Sequence, residues 1–332
     1  MSAGAKTAGR RFFTPGPASD PAYEFCLNEP EYAYVRERIE AMWAKYEPYC
    51  PDANFLTEAR SHFVERTWEM RLACVFLERG FPLVRGGSAG PDLCIDASPR
   101  IWVEATAVSA GKGPDRVRDR AERAFTEAER GYTEEELPGL DWHGRPPSEE
   151  SVILRCTNAL DEKRGKYQQY LRAGIVKPGE RYVVAMSLAG IDQSFFLCNF
   201  KRDVPIFLKA LFGIGADHIL LSRTEGERDR LHRPPRPVVT KASGAEIPAL
   251  AFASESHPEI SGVFGSCTDI VNAPLDPGRE IMFVNNPRAA APVAPGTFAF
   301  GMEFVASERG SKGTIDRRDH RKPYDFGEAT GS

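Results

Sequence analysis

The residues best suited to chemistry lie in the stretch from Gly90 to Val108, GPDLCIDASPRIWVEATAV. It reads as two short apolar strands, Asp92 to Ala97 and Arg100 to Val108, which bring one carboxylate each, Asp92 and Glu104, to a common edge. Mg2+ is a hard cation that takes oxygen ligands and keeps several waters. Two carboxylates and a strand carbonyl such as that of Ala105 therefore suffice to hold Mg2+, or Mn2+, against a phosphate. A metal held there neutralises developing charge and lowers the pKa of a bound water. A third acid, Glu69, lies upstream on an amphipathic segment, and Lys163 lies downstream on a lysine-rich one.

Several elements must position these groups. Helical spacing of Tyr34, Ile39, Met42, Trp43 and Tyr46 predicts a first helix over Glu31 to Tyr46. A second, from about Ala59 to Arg79, carries the stripe Phe63, Trp68, Leu72, Val75 and Phe76, with Glu69 beside it and Gly80 at its end. Phe81 to Val84 reads as a short strand, and RGGSAGPD as a glycine-rich turn into the Asp92 strand. That turn has neither G-x-G-x-x-G order nor the Lys-Ser/Thr of a phosphate loop. In the Glu104 strand, period two places Ile101 and Val103 on one face and Trp102, Glu104 and Thr106 on the other. Residues 110–150 read as an insertion, a charged helix around 115–130 and then an acidic, proline-containing loop, which would be a lid or a partner surface. Its Arg116, Arg118, Arg120 and Arg123 suit a solvated face more than a nucleic-acid groove, and His143 is a weak candidate base. Ser151 to Cys156 reads as a β-rich run. Asn158 and Asp161 then cap a helix to about Arg172 with the buried stripe Leu160, Tyr167 and Leu171. On that helix Lys163 sits about sixty degrees from Leu160 and Lys166 about twice as far round, so Lys163 is the better placed to reach inward. Arg181 to Leu188 reads as a buried strand.

The 332-residue chain is 42% hydrophobic, enough for a large core, and its net charge of -4 gives no global sign of nucleic-acid binding. Residues 1–20 and the tail 307–332 read as disordered. The tail's Arg309, Lys312, Arg317, Arg318, Arg321 and Lys322 are either solvated or in touch with phosphates. Between them, 21–190 form the core with its insertion, and 191–306 a mixed α+β extension packed on it, with one short helix. His218, His232 and His257 lack ligand spacing, and no serine sits in a G-x-S-x-G elbow. The seven cysteines are odd in number and contain no C-x-x-C pair, which argues against a disulfide framework and for a reducing cytoplasm; there is no membrane-length run.

A helix Glu, a strand Asp, a strand Glu twelve positions on and a helix Lys occur here as Glu69 in WEMRLACVFLERG, Pro91-Asp92 in GPDLCI, Glu104-Ala105-Thr106 in IWVEATAV, and Lys163. In that order the stretch of about 60–190 resembles the PD-(D/E)XK nuclease superfamily. The resemblance implies an α/β, restriction-endonuclease-like core of helix, three strands, helix and strand. It also implies a Mg-dependent nuclease that hydrolyses phosphodiester bonds of DNA or RNA. Asp92 and Glu104 would be metal ligands with the Ala105 carbonyl, and Glu69 would assist through a water. The motif's lysine position holds Thr106, and Lys163 resembles a lysine that has migrated to the second helix, with Lys112 and Arg155 as weaker substitutes. Arg155, Lys166 and Thr106 are candidate substrate contacts. The chain also resembles a group of uncharacterised bacterial proteins that share the I-W-V-E-A strand and the T-N-A-L-D-E-K-R helix start. Thr106 leaves two alternatives open: a catalytically inactive nuclease-like protein that binds nucleic acid or a protein partner, and a structural protein whose insertion and C-terminal half form an interface. A homodimer is also left open.

Overall fold

A computed structural model describes residues 10–120, 147–198, 204–215, 218–220, 230–232, 234–309 and 312–322. The chain is a mixed α/β protein built on one large mixed sheet with helices on both faces. The helices are α1 (Pro21–Asn28), α2 (Ala33–Tyr46), α3 (Phe55–Glu58), α4 (Phe63–Glu78), α5 (Glu149–Arg172) and α6 (Ile206–Phe212). The sheet contains β1 (Leu83–Val84), β2 (Leu93–Ile95), β3 (Ile101–Ala107), β4 (Arg181–Ser187), β9 (Gly262–Ser266), β10 (Met282–Asn285), β11 (Met302–Arg309) and β12 (Lys312–Asp319), in that spatial order. Two small hairpins, β5 (His218–Leu220) with β6 (Arg230–His232) and β7 (Val238–Thr240) with β8 (Glu246–Pro248), lie outside it.

The topology follows from the connections. Short turns join β1, β2 and β3 into an antiparallel meander. A long crossover through α5 then returns the chain to lay β4 parallel to β3. β9 pairs parallel with β4, β10 antiparallel with β9, β11 parallel with β10, and β12 antiparallel with β11. Strand alternation divides the core in two. Ile101, Val103, Ala105, Val183, Ala185 and Phe264 face α2 and α4, while Trp102, Tyr182, Val184, Met186 and Val263 face α5 and α6.

Local chemistry sets the ends of the two helices beside the carboxylates. Asp20 caps two helices at once, accepting from Ala22 N in α1 at 3.0 Å and from Phe63 N in α4 at 2.9 Å. Gly80, at φ +79, closes α4: its N–H donates to Leu77 O, and that of Phe81 donates to Phe76 O. α4 is buried along nearly its whole middle, Thr67 to Phe76, and Trp68 Nε1 donates to Ala185 O at 3.0 Å to fix the helix on the sheet. At the start of α5 the Ser148 hydroxyl accepts from Ser151 N at 3.1 Å, and Glu149 and Glu150 complement the helix dipole.

The structure departs from the sequence expectations at several points. Ser151 to Cys156 is not a strand but the first turns of α5, because Ser148 caps the helix and its apolar run packs all round in the α5 side of the core. Residues 10–20 are not a loose arm: Phe12 and Phe13 are buried among Tyr23, Trp43, Phe55 and Phe63. The segment from Ser307 is not a structureless tail, since β12 pairs with β11 over its full length. Within residues 191–306, β9 and β10 continue the same sheet directly from β4. The cysteines are also not all single, for Cys198 and Cys267 form a disulfide. Residues 1–9, most of the insertion at 121–146 with Arg123 and His143, and the tail from 323 lie outside the described residues, as do the side chains of His218, His232, Arg309 and Lys312. Among the described residues no helix is long and apolar enough to cross a membrane.

Candidate functional site

Glu104 stands on the α5 face of β3, opposite Val184 of β4, in the middle of the sheet. It is 2% exposed. Such a carboxylate needs partners, because an unpaired buried charge is costly. α5 supplies three. Lys163 Nζ lies 3.1 Å from Glu104 Oε1, Lys166 Nζ 3.0 Å from the same oxygen, and the Tyr170 hydroxyl donates to Oε2 at 3.0 Å. Positions 163, 166 and 170 are three and four residues apart, so they line one face of the helix above Glu104. The helix is held in place by Tyr182, whose hydroxyl donates to Lys163 O at 3.1 Å.

Asp92 precedes β2, one step beyond the pair formed by Leu93 and Val103 and thus opposite Glu104. Its Oδ2 accepts from Ala105 N at 2.7 Å. The N–H and C=O of one strand residue point to the same side, so the Ala105 carbonyl also faces the Asp92 strand. Asp92 is half-buried as a residue. Desolvation of its carboxyl group, followed by repulsion from Glu69 and Glu104, pushes its pKa well above the usual carboxylate range against the opposing pull of Lys163 and the Ala105 N–H.

Glu69 approaches from α4, which packs on the opposite face of the sheet. It is 2% exposed, takes a short hydrogen bond from the Tyr46 hydroxyl and pairs with Arg66 at 2.8 Å. Burial pushes its pKa up to about 7, although the Arg66 charge and the bonds from Tyr46 and Arg66 oppose the shift. Burial alone would lower Lys166, but the charge and hydrogen bond of Glu104 outweigh it and raise that pKa. Tyr170 is raised by burial and then by the Glu104 charge. Three acids and two lysines therefore form one electrostatic unit around Asp92 and Glu104.

The structure thus brings Glu104, Lys163 and Lys166 into direct contact, and places Asp92 and Glu69 within reach of the same field. The helical-wheel ranking of the two lysines is not reflected in distance, since the flexible Lys166 stem carries its ammonium back to Glu104 while the residue stays partly exposed. Thr106 is buried beside Glu104 on the same face, and its hydroxyl only touches Ala107 O at 3.5 Å. Arg155 lies elsewhere, packed on Gly111, where a side chain would collide with its guanidinium. Lys112 is exposed. Tyr170 was not among the candidates, although its spacing of four from Lys166 and seven from Lys163 placed it on their face.

Asp92, Glu104 and the Ala105 carbonyl are the oxygen groups that could hold Mg2+, an ion often held by two carboxylates and otherwise by water and phosphate, if Glu104 released its present partners. A divalent cation would also offset the burial, and the repulsion from Glu69 and Glu104, that raise Asp92. Among the described residues no three His, Cys, Asp or Glu side chains gather to hold a metal on their own. Compared with family models, curated proteins and solved structures, the chain matches none.

Proposed function

We propose that the chain is a metal-dependent phosphodiesterase of the PD-(D/E)XK kind, acting on DNA or RNA at the Asp92–Glu104 pair. The order α4, β1, β2, β3, α5, β4 supports a restriction-endonuclease-like core. The observation that carries the activity is the 3.1 Å approach of Lys163 to Glu104. It sets an ammonium group on the face where Thr106 leaves none, next to the carboxylates that would bind Mg2+ or Mn2+. When bound, the metal would supply Lewis acidity and an activated water. Asp92 and Glu104 would be the groups that hold it, Lys163 and Lys166 place positive charge for a phosphate, and Tyr170 fixes Glu104 Oε2.

The test uses the full chain with plasmid DNA, single-stranded DNA and RNA. Cleavage of one of these is expected in Mg2+ or Mn2+, lost with a chelator and in Asp92→Ala. No metal binding by calorimetry would sink the proposal. A second reading, a catalytically inactive relative that binds nucleic acid or a protein partner, draws on the fact that both Glu104 oxygens already have partners. It predicts metal-independent binding that Glu104→Gln leaves unchanged.

A further inference from the structure

Cys198 and Cys267 form a disulfide, while Cys26, Cys50, Cys74, Cys94 and Cys156 are single buried thiols. Burial pushes Cys26, Cys50 and Cys94 up to about 11 and Cys74 and Cys156 up to about 12, so these thiols stay protonated and inert. Cys198 is different: it is half-buried, at the end of the turn Ser194–Cys198. Cys267 directly follows β9. The bond therefore ties the segment after β4 to the segment after β9, two strands that run side by side.

Those two segments also seat the root of the insertion. The Arg120 N–H donates to Gly190 O at 2.9 Å, and that of Asp192 donates to Arg118 O at 3.1 Å. Arg118 pairs with the buried Asp192 at 3.6 Å, and Arg120 pairs with the buried Asp269, two residues beyond Cys267. Asp119 bridges to Ile191. Residues 118–120 thus rest on both sides of the disulfide, held by one carboxylate from each.

We propose that Cys198–Cys267 is a reversible redox-modification site whose reduction loosens the seat of residues 118–120. The reductant is a dithiol. One of its thiolates attacks the sulfur of Cys198, the less buried partner, and expels the Cys267 thiolate, which takes a proton. The reductant's second thiol then displaces Cys198 from the mixed disulfide. Two electrons and two protons pass to the protein, leaving two protein thiols and the reductant's own disulfide. The site does not depend on the phosphodiesterase proposal.

The experiment incubates the full chain with oxidised glutathione or with dithiothreitol, removes the reagent, and measures two things. Thiols titrated after denaturation should number five in the oxidised form and seven in the reduced one, with peptide mapping placing the bridge at Cys198 and Cys267. Trypsin cleavage after the exposed Arg118 and Arg120 should speed up at least about fivefold on reduction, with far-UV circular dichroism unchanged, because local opening exposes the backbone. Cys198→Ser with Cys267→Ser should be cleaved at the fast rate in both conditions, and Cys156→Ser should keep the redox response. Seven thiols after oxidation, or equal cleavage rates in the two forms, would overturn the proposal. If the double variant does not fold, the thiol count and cleavage of the parent chain still decide it.

Discussion

Replacing Lys163 by Met, alone and together with Glu104→Gln, probes the centre of the site most directly. The Lys163 and Glu104 side chains are 5% and 2% exposed. Removing one member of a buried, hydrogen-bonded ion pair costs about 3–5 kcal/mol, because the remaining charge stays desolvated. After Lys163→Met, however, Glu104 keeps Lys166 and Tyr170, each at 3.0 Å. Lys166 is 41% exposed at its side chain, so solvent screens it and its pair contributes no more than about 1 kcal/mol. The expected cost of Lys163→Met is therefore about 2 kcal/mol. Glu104→Gln leaves the buried Lys163 ammonium beside an amide and should cost about 3 kcal/mol. In the double variant neither buried charge remains, and the loss should be about 3 rather than the additive 5, a coupling of about 2 kcal/mol. Urea unfolding at pH 7, followed by tryptophan fluorescence with a shared m-value, measures all four proteins. Additivity within about 0.5 kcal/mol would show that the two groups do not interact and would refute the electrostatic account of the site.

Two further outcomes are expected. Phe12→Ala should destabilise the chain by about 3 kcal/mol, as loss of a fully buried ring does, and a loss below about 1 kcal/mol in the same urea assay would return residues 10–20 to a loose arm. Glu69 has its pKa raised from 4.5 to about 7, so the native state binds more protons than the unfolded chain between those values. Its contribution to stability is fully present below the unfolded pKa and is lost as pH rises through about 7. The melting temperature of Glu69→Gln relative to the parent should therefore climb from pH 5 to pH 8, and a difference that stays flat with pH would contradict the buried-acid account.

The period-two alternation of IWVEATAV was enough to place Glu104 and Thr106 on one face, and that face does meet the lysine-bearing helix. Where local pattern failed, tertiary contacts decided. SVILRC has the apolar, β-branched composition of a strand, and only its Ser148 cap and packing on two sides make it helical. KGTIDRRD has no apolar face to betray a strand, because β12 is an edge and is stabilised by pairing with β11 rather than by burial. Phe12 and Phe13 stood in a Gly-, Ala- and Pro-rich context that masked them, and two adjacent aromatics were the overlooked sign of docking. The pairing of Cys198 with Cys267 leaves no trace in spacing, since it depends on β4 and β9 being neighbours.

That neighbour relation also bears on how the chain is made. β4 ends at Ser187, and the strand that covers its open edge begins only at Gly262. During synthesis the meander, α5 and β4 emerge first, with Val183, Val184 and Ala185 lined up on an unpaired edge until β9 leaves the ribosome. Long-range strand pairing of this kind is slow and exposes the chain to edge-to-edge association. Nascent chains arrested near residue 200 should accordingly be the ones that recruit chaperones, and fragments cut there should aggregate rather than fold.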